Sequence, residues 1–308
     1  MKKILSICIP TYKRAELMTE MLKSIYSQGV DENLFEVCVS DNSPTDELDG
    51  LVQKYSCHAN FVYKKSDCKG FMNSIEALKL GSGKFLKLLN DYSIFRENAL
   101  SDMIDFVKSL KEGESAVTFG MGSVNNTDKV ASYKSFNDFM YAVNKTVTWS
   151  TAFAIWKSDF DRIIEAAEPN YMYPHTTLLF MLTDKKEYIV NNHIYVANKE
   201  PKKKGGYNLT DNFIRIFLSM VKEMLLSKKV ITDETYFKIE ERMLDFVAYW
   251  YFIATNDERY TFSFDDTEQI IMDVCGEKAL KLYKRYFKKY KIKQIFKNIY
   301  HSLKGLKK

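Results

Sequence analysis

Short apolar runs that break into polar tips recur along the first 93 residues of the chain. Ile4-Leu5-Ser6-Ile7-Cys8-Ile9 ends in Pro10-Thr11-Tyr12-Lys13-Arg14, Glu36-Val37-Cys38-Val39-Ser40 in Asp41-Asn42-Ser43, and the run from Phe85 to Leu89 in Asn90-Asp91-Tyr92-Ser93. Runs this short and this continuously apolar predict strands covered on both faces. Between them apolar residues recur at helical spacing. Leu17, Met18, Met21, Leu22 and Ile25 predict a helix over 15–28; Leu48, Leu51, Val52 and Tyr55 predict a second, opening at Pro44; a third spans 71–80 and stops at Gly81. With a short strand over 60–64, the alternation β-α-β-α-β-α-β predicts an α/β fold: a mostly parallel, Rossmann-like sheet with helices on both faces.

Farther along, the pattern predicts a helix over 99–110, a strand over 116–120 and a polar loop over 122–138. A strand then a helix follow over 149–157 and 159–167, and a late strand over 188–196. Residues 199–206 hold Pro201, four lysines and two glycines, a loop signature. Beyond Asn208 the spacing is helical over 213–226, 233–252 and 267–290, so the chain divides into a domain over 1–206 and a helical region over 207–308.

Composition alters this picture little, except at the end. The chain of 308 residues is 46% hydrophobic, enough for a sizeable core. Five cysteines, Cys8, Cys38, Cys57, Cys68 and Cys275, match no zinc or redox spacing and fit a reducing compartment. The apolar run after Lys2-Lys3 stops at Pro10, too short for a signal core, and no run is long enough to span a bilayer. Net charge is +5, yet residues 277–308 carry twelve Lys or Arg against one acid, a net +11 that leaves −6 on the rest. The tail sets Leu282, Tyr286, Tyr290, Ile292, Ile295, Phe296, Ile299 and Leu303 among those lysines, which suits an anionic membrane surface. A solvated helix packed on the domain is the other reading. Nucleic acid is not an expected partner, because the remainder is acidic and carries no motif for it.

Three strands ending in polar residues predict one ligand site at the carboxyl edge of the sheet. Asp41 can accept from a nucleobase edge, Pro10, Thr11 and Tyr12 can wall the base, and Arg14 can pair with phosphate or fix Asp41. The plainer reading is that Asp41 and Ser43 cap the helix near Pro44. Trp149, Trp156 and Tyr173 can stack on a sugar or fill core.

Four segments in order resemble glycosyltransferase family 2, which has the GT-A fold, and its bacterial O-antigen and capsule branch. They are Leu5 to Arg14, Val39 to Asp46, Lys69-Gly70-Phe71-Met72-Asn73-Ser74, and Leu78 to Asp91 with Gly81 and Gly83. Beyond about residue 100 the likeness is architectural. The resemblance implies a nucleoside diphosphate sugar donor and a direct transfer with inversion; together with the basic tail, the expected acceptor is a hydroxyl of a surface glycan, lipid-linked and met at the inner face of the cell membrane. It makes Asn73, Asn90 and Asp91 donor-site candidates, with Asp91 on the ribose or on a divalent cation, Mn2+ or Mg2+. The family has a second Asp after it; here that residue is Tyr92. Lys202, Lys203 and Lys204 offer positive charge in place of the ion, closing over the diphosphate. The family's acidic base falls in a stretch, Tyr171 to Thr177, that holds no carboxylate; His175 is its candidate there. Tyr92 and the missing acid leave open a non-catalytic nucleotide-sugar-binding or scaffold protein of a polysaccharide assembly complex.

Overall fold

A computed structural model describes residues 2–125, 128–199 and 201–305, with side chains as far as 296. Two compact units divide the chain, 1–200 and 201–308.

The first unit is built on the run that opens the sequence. Strand β1 (Leu5–Thr11) is buried almost throughout, and helix α1 (Ala15–Tyr26) buries Met18, Met21, Leu22 and Ile25 against the core. There follow β2 (Phe35–Asp41), α2 (Asp49–Tyr55), β3 (Phe61–Lys65), α3 (Asn73–Leu80) and β4 (Phe85–Leu88). Helix α2 starts five residues later than Pro44 suggested. The carbonyl of Thr45, which a helix would use internally, accepts from Lys65 Nζ at 2.7 Å.

Next come β5 (Ser93–Phe95), α4 (Ala99–Ser109), β6 (Ser115–Phe119), β7 (Val130–Tyr133), α5 (Phe136–Val143), β8 (Ala154–Trp156), α6 (Lys157–Ile163), α7 (Pro174–Phe180), β9 (Glu187–Asn191) and β10 (Val196–Asn198). The main sheet runs β3-β2-β1-β4-β8, parallel except for β8. A smaller sheet runs β6-β9-β7, and β5 pairs with β10. The fold is therefore mixed α/β with a mostly parallel central sheet.

Several expectations need correction. The loop over 122–138 contains β7 and the start of α5. The strand over 149–157 shrinks to β8, preceded by two short 3-10 turns. The strand over 188–196 breaks into β9 and β10, because Asn191 turns the chain with its Oδ1 accepting from His193 N.

Register decides what meets at the edges. Thr11 lies beside Asp41, and Cys8 beside Leu88, so residues 89–91 continue along Ile9–Thr11. Leu89 N still bonds Cys8 O at 2.9 Å. At the opposite, amino edge the buried Glu36 accepts from Ser6 Oγ (2.6 Å), Ser82 N and Oγ, and Gly83 N (3.0 Å). A Cβ on Gly83 would stand 2.8 Å from Ser6 Oγ and 3.1 Å from the backbone of Leu5, so this turn needs glycine there.

The second unit holds β11 (Lys204–Asn208), paired in parallel with β12 (Tyr260–Ser263), so part of the predicted 199–206 loop is strand. Helix α8 (Phe217–Val221) lies between π-helical turns at Asp211–Ile216 and Lys222–Leu226. Helix α9 (Asp233–Ala254) is capped by the Thr232 side chain. Helix α10 (Thr267–Gly305) bends at Gly276, whose φ of 82° lies outside the helical region. Tyr286 and Tyr290 of α10 donate to Glu241 and Asp245 of α9 at 2.9 and 2.8 Å. Among the described residues no helix is long and apolar enough to cross a membrane.

Candidate functional site at the carboxyl edge of the sheet

Asp91 sits one residue past the polar break of the β4 run and is 2% exposed. Its Oδ2 accepts from Thr11 Oγ1 at 2.9 Å, and its Oδ1 from Arg14 Nη1 at 2.7 Å. Both partners follow from register, since the extension of β4 runs alongside the end of β1 and Arg14 stands at the start of α1. Burial pushes the Asp91 carboxyl above the usual range, while the Arg14 charge, the Thr11 hydroxyl and the Tyr12 backbone pull it back. Arg14 therefore pairs with Asp91 rather than fixing Asp41, as one reading of the sequence had it.

Asp41 is fully buried at the end of β2. Its Oδ1 accepts from Ser43 N at 2.8 Å and from Ser43 Oγ. Its Oδ2 accepts from Tyr63 OH and Lys65 Nζ, each at 3.1 Å. The partners come from β3, because Asp41 lies level with Lys65 in the parallel pairing. The Tyr63 phenol is pushed upward by burial and then by the Asp41 charge. Ser43 Oγ also accepts from Lys13 N at 2.8 Å, tying the two loops together. Pro10 is half-buried, Thr11 is buried, and Tyr12 is 49% exposed beside them.

Asn73 requires a correction. It lies at the helix start, but its amide is spent on protein. Nδ2 reaches Ser40 O at 2.8 Å, Asn42 Oδ1 at 3.0 Å and Thr11 O at 3.2 Å, and Oδ1 accepts from Ser40 Oγ at 2.7 Å. It clasps the ends of β1 and β2 and is 3% exposed, so its side chain does not face a donor.

Asn90 donates through Nδ2 to Tyr92 OH at 2.7 Å and accepts from Ser150 Oγ, and its own backbone N–H reaches Thr151 Oγ1 at 3.2 Å. The guanidinium of Arg14 lies 5.5 Å from the centre of the Tyr92 ring. Ser150 and Thr151 were missed by sequence reasoning, as was Lys87. Lys87 is fully buried in β4, with Nζ donating to the carbonyls of Thr151, Leu88 (2.9 Å) and Phe153 (3.2 Å). Burial drives its ammonium well below the usual lysine range. The available signal was a lysine inside the run Phe85-Leu86-Lys87-Leu88-Leu89.

His175 is also a correction. It is 5% exposed in α7, its ring edge-on to Phe153 at 5.9 Å. Burial lowers its pKa to about 4, against the pull of the Thr148 and Val147 carbonyls, with Lys87 adding to the lowering. A sealed imidazole that stays neutral down to pH about 4 is a poor base for an acceptor hydroxyl. Trp156 and Tyr173 are core residues, Trp156 donating to Ser115 O at 2.9 Å. Lys203 and Lys204 belong to the second unit, where Lys204 opens β11 and its Nζ lies 5.7 Å from the Trp250 ring centre.

A divalent ion at the tip would draw its oxygen ligands from Asp91, Asn90 and the following residue. These do not fit. Both Asp91 oxygens and the Asn90 amide oxygen are engaged, and the following residue is Tyr92. Among the described residues no three His, Cys, Asp or Glu side chains cluster to hold a metal.

Comparison with known proteins bears on this edge. An abequosyltransferase, RfbV, of Salmonella typhimurium is 26% identical over 110 residues, 34% of this chain and 33% of that protein. A poly(ribitol-phosphate) beta-N-acetylglucosaminyltransferase, TarS, of Staphylococcus aureus is 27% identical over 106 residues, 33% of this chain and 18% of that protein. The matches thus span a third or less of these relatives. The crystal structure of S. aureus TarS 1-349 in complex with UDP-GlcNAc shares the fold with a TM-score of 0.59 at 15% identity, covering 94% of this chain and 92% of that one. The family model for glycosyl transferase family 2 matches residues 6–164, just over half of the chain and all three strand tips, and the chain belongs to that family.

Proposed function

We propose that the chain is a glycosyltransferase that moves a sugar, with inversion, from a nucleoside diphosphate donor to a hydroxyl of a surface-polysaccharide acceptor. One observation carries this reading: within the family-matched segment, Asp91 bonds Thr11 and Arg14 while Asp41, level with Thr11 in the strand pairing, bonds Lys65, so two buried carboxylates each reach a cation at the carboxyl edge of a parallel sheet. In this reading Asp41 reads the base, Pro10, Thr11 and Tyr12 wall it, and Asp91 lies by the ribose. The likeness to RfbV and TarS supports a bacterial surface glycan as acceptor. Incubating the full chain with UDP-, GDP-, CDP- and dTDP-sugars should release a nucleoside diphosphate from at least one, slowly without acceptor. No release from any donor by folded protein would sink the proposal.

The acceptor's lipid linkage is supported by α10. Ile292, Ile295 and Phe296 are exposed, 42 to 67%, on a helix rich in lysine. The same exposed apolar and basic residues support a peripheral position on the inner face of the membrane as part of this reading. The chain should sediment with vesicles containing anionic lipid and not with neutral ones, and Phe296→Asp should weaken this several-fold. Equal sedimentation with both would remove the membrane from the reading.

A second reading is favoured by Tyr92 and the sealed His175: a nucleotide-sugar-binding member of an assembly complex that does not turn over. Nucleotide binding without release or transfer would select it.

A further inference from the structure

The place where a divalent ion would sit at the β4 tip is already organised around a side-chain cation. Asp91 is 2% exposed, and its two oxygens are divided between Thr11 and Arg14. Arg14 is different: about a third of its side chain, 35%, remains exposed, and it reaches Asp91 through Nη1. A guanidinium has five N–H donors in a planar fork, so one carboxylate contact leaves capacity for a second anion. The Tyr92 ring, where a second carboxylate would stand, instead faces that guanidinium at 5.5 Å. Its hydroxyl accepts from Asn90, whose oxygen accepts from Ser150. The tip is thus a closed set of hydrogen bonds with one partly exposed positive group at its rim. A metal would have to share the sealed Asp91 carboxylate with Thr11 and Arg14 and would lie against the guanidinium charge. A diphosphate needs neither.

We propose that Arg14, aimed by Asp91, is the cation this chain sets against the donor's diphosphate, and that donor binding and transfer are independent of divalent metal. The inference rests on the donor reading above and adds to it the identity of the counter-charge. In the chemical step the anomeric carbon loses its bond to the diphosphate oxygen and gains one to the acceptor oxygen. The electron pair leaves with the nucleoside diphosphate, whose added negative charge meets the guanidinium. The acceptor's proton passes to solvent or base. Thr11 and Asp91 are positioning residues here, holding the guanidinium rather than touching the phosphates.

The test is calorimetric titration of UDP, GDP, CDP and dTDP into the full chain, in EDTA and again in excess Mn2+. The nucleotide that binds should do so with affinities within about threefold in the two buffers. Arg14→Met should weaken it by about 30-fold or more in EDTA, and Arg14→Lys by less, since the charge is kept without the fork. Binding that vanishes in EDTA, or gains tenfold or more with Mn2+, would overturn the inference and leave the donor reading standing. So would an Arg14→Met chain that is folded by circular dichroism and binds as wild type. If that variant does not fold, the wild-type comparison of the two buffers and the lysine variant still decide. No binding of any nucleotide in either buffer would instead overturn the donor reading beneath it.

Discussion

At the amino edge of the central sheet Glu36 is closed in by Ser6, Ser82 and Gly83; at the carboxyl edge Asp41 and Asp91 are as deeply buried, yet each reaches a cation. Those cations, Lys65 and Arg14, keep 36% and 35% of their side chains exposed. The groups on Glu36 are the Ser6 hydroxyl of β1 and the hydroxyl and backbone N–H donors of the turn between α3 and β4, so its carboxylate is used up in tying that turn to the sheet. The carboxyl edge instead holds charge at the boundary with solvent, in ion pairs that an arriving anion can share. Burial alone does not distinguish the two edges. What a buried carboxylate is bonded to, and how far that partner reaches the surface, separates Glu36 from the two acids proposed for the donor site.

The largest expected effect comes from breaking the Arg14 contact while keeping shape. Asp91→Asn should lower sugar transfer by about 100-fold or more, close to 3 kcal/mol of transition-state stabilisation. Its cost to folding should be about 1 kcal/mol, because Arg14 is partly solvated and removal of a buried charge offsets the lost pair. Transfer rates and urea unfolding on one preparation check both numbers. A folding cost of several kcal/mol with transfer intact would make Asp91 another Glu36.

The mirror-image change is Glu36→Ala. It strands the Ser6, Ser82 and Gly83 donors and should cost about 2 kcal/mol of stability. Nucleotide affinity of the folded fraction should stay within about twofold, since the residue lies at the far end of β2 from Asp41. A variant that is stable but no longer binds would show that the two edges are not separable.

How much of this was visible beforehand follows from what strands and contacts encode. The strands β1, β2 and β4 were legible because a strand covered on both faces must be apolar at nearly every position. Asp41 and Asp91 were legible as the residues at which those runs break. Strand β7 was not: its residues are exposed or half-buried, so Val130 to Tyr133 carries no continuous apolar run and reads as loop. Partners were legible least of all. Arg14 falls to Asp91, and Lys65 to Asp41, because β4 and β3 flank β1 and β2 in a particular register. Spacing along the chain does not contain that order. Asn73 shows the same limit: a polar residue at a helix start was recognisable, but its clasp on Thr11, Ser40 and Asn42 depends on two strand ends, those of β1 and β2, being brought together.

His175 offers the finest test, because it is a buried titratable group that reaches neither kind of edge carboxylate. Its folded pKa of about 4 lies below the unfolded value of 6.5. Between those two values the unfolded chain binds more protons, so stability rises with pH across that window. The contribution is complete above about 6.5 and is lost as pH falls toward 4. One such group gives a slope of at most about 1.4 kcal/mol per pH unit. His175→Gln should therefore flatten the stability curve by about 1 kcal/mol between roughly pH 5 and 6, as read from urea midpoints at each pH. The pH dependence of transfer between about pH 6 and 8 should be unmoved, since the imidazole is already neutral there. Parallel stability curves for the two proteins would mean that His175 is not held neutral by burial. Loss in the variant of a rate limb near neutral pH would return His175 to the site as its base, and would require α7 to open toward the acceptor.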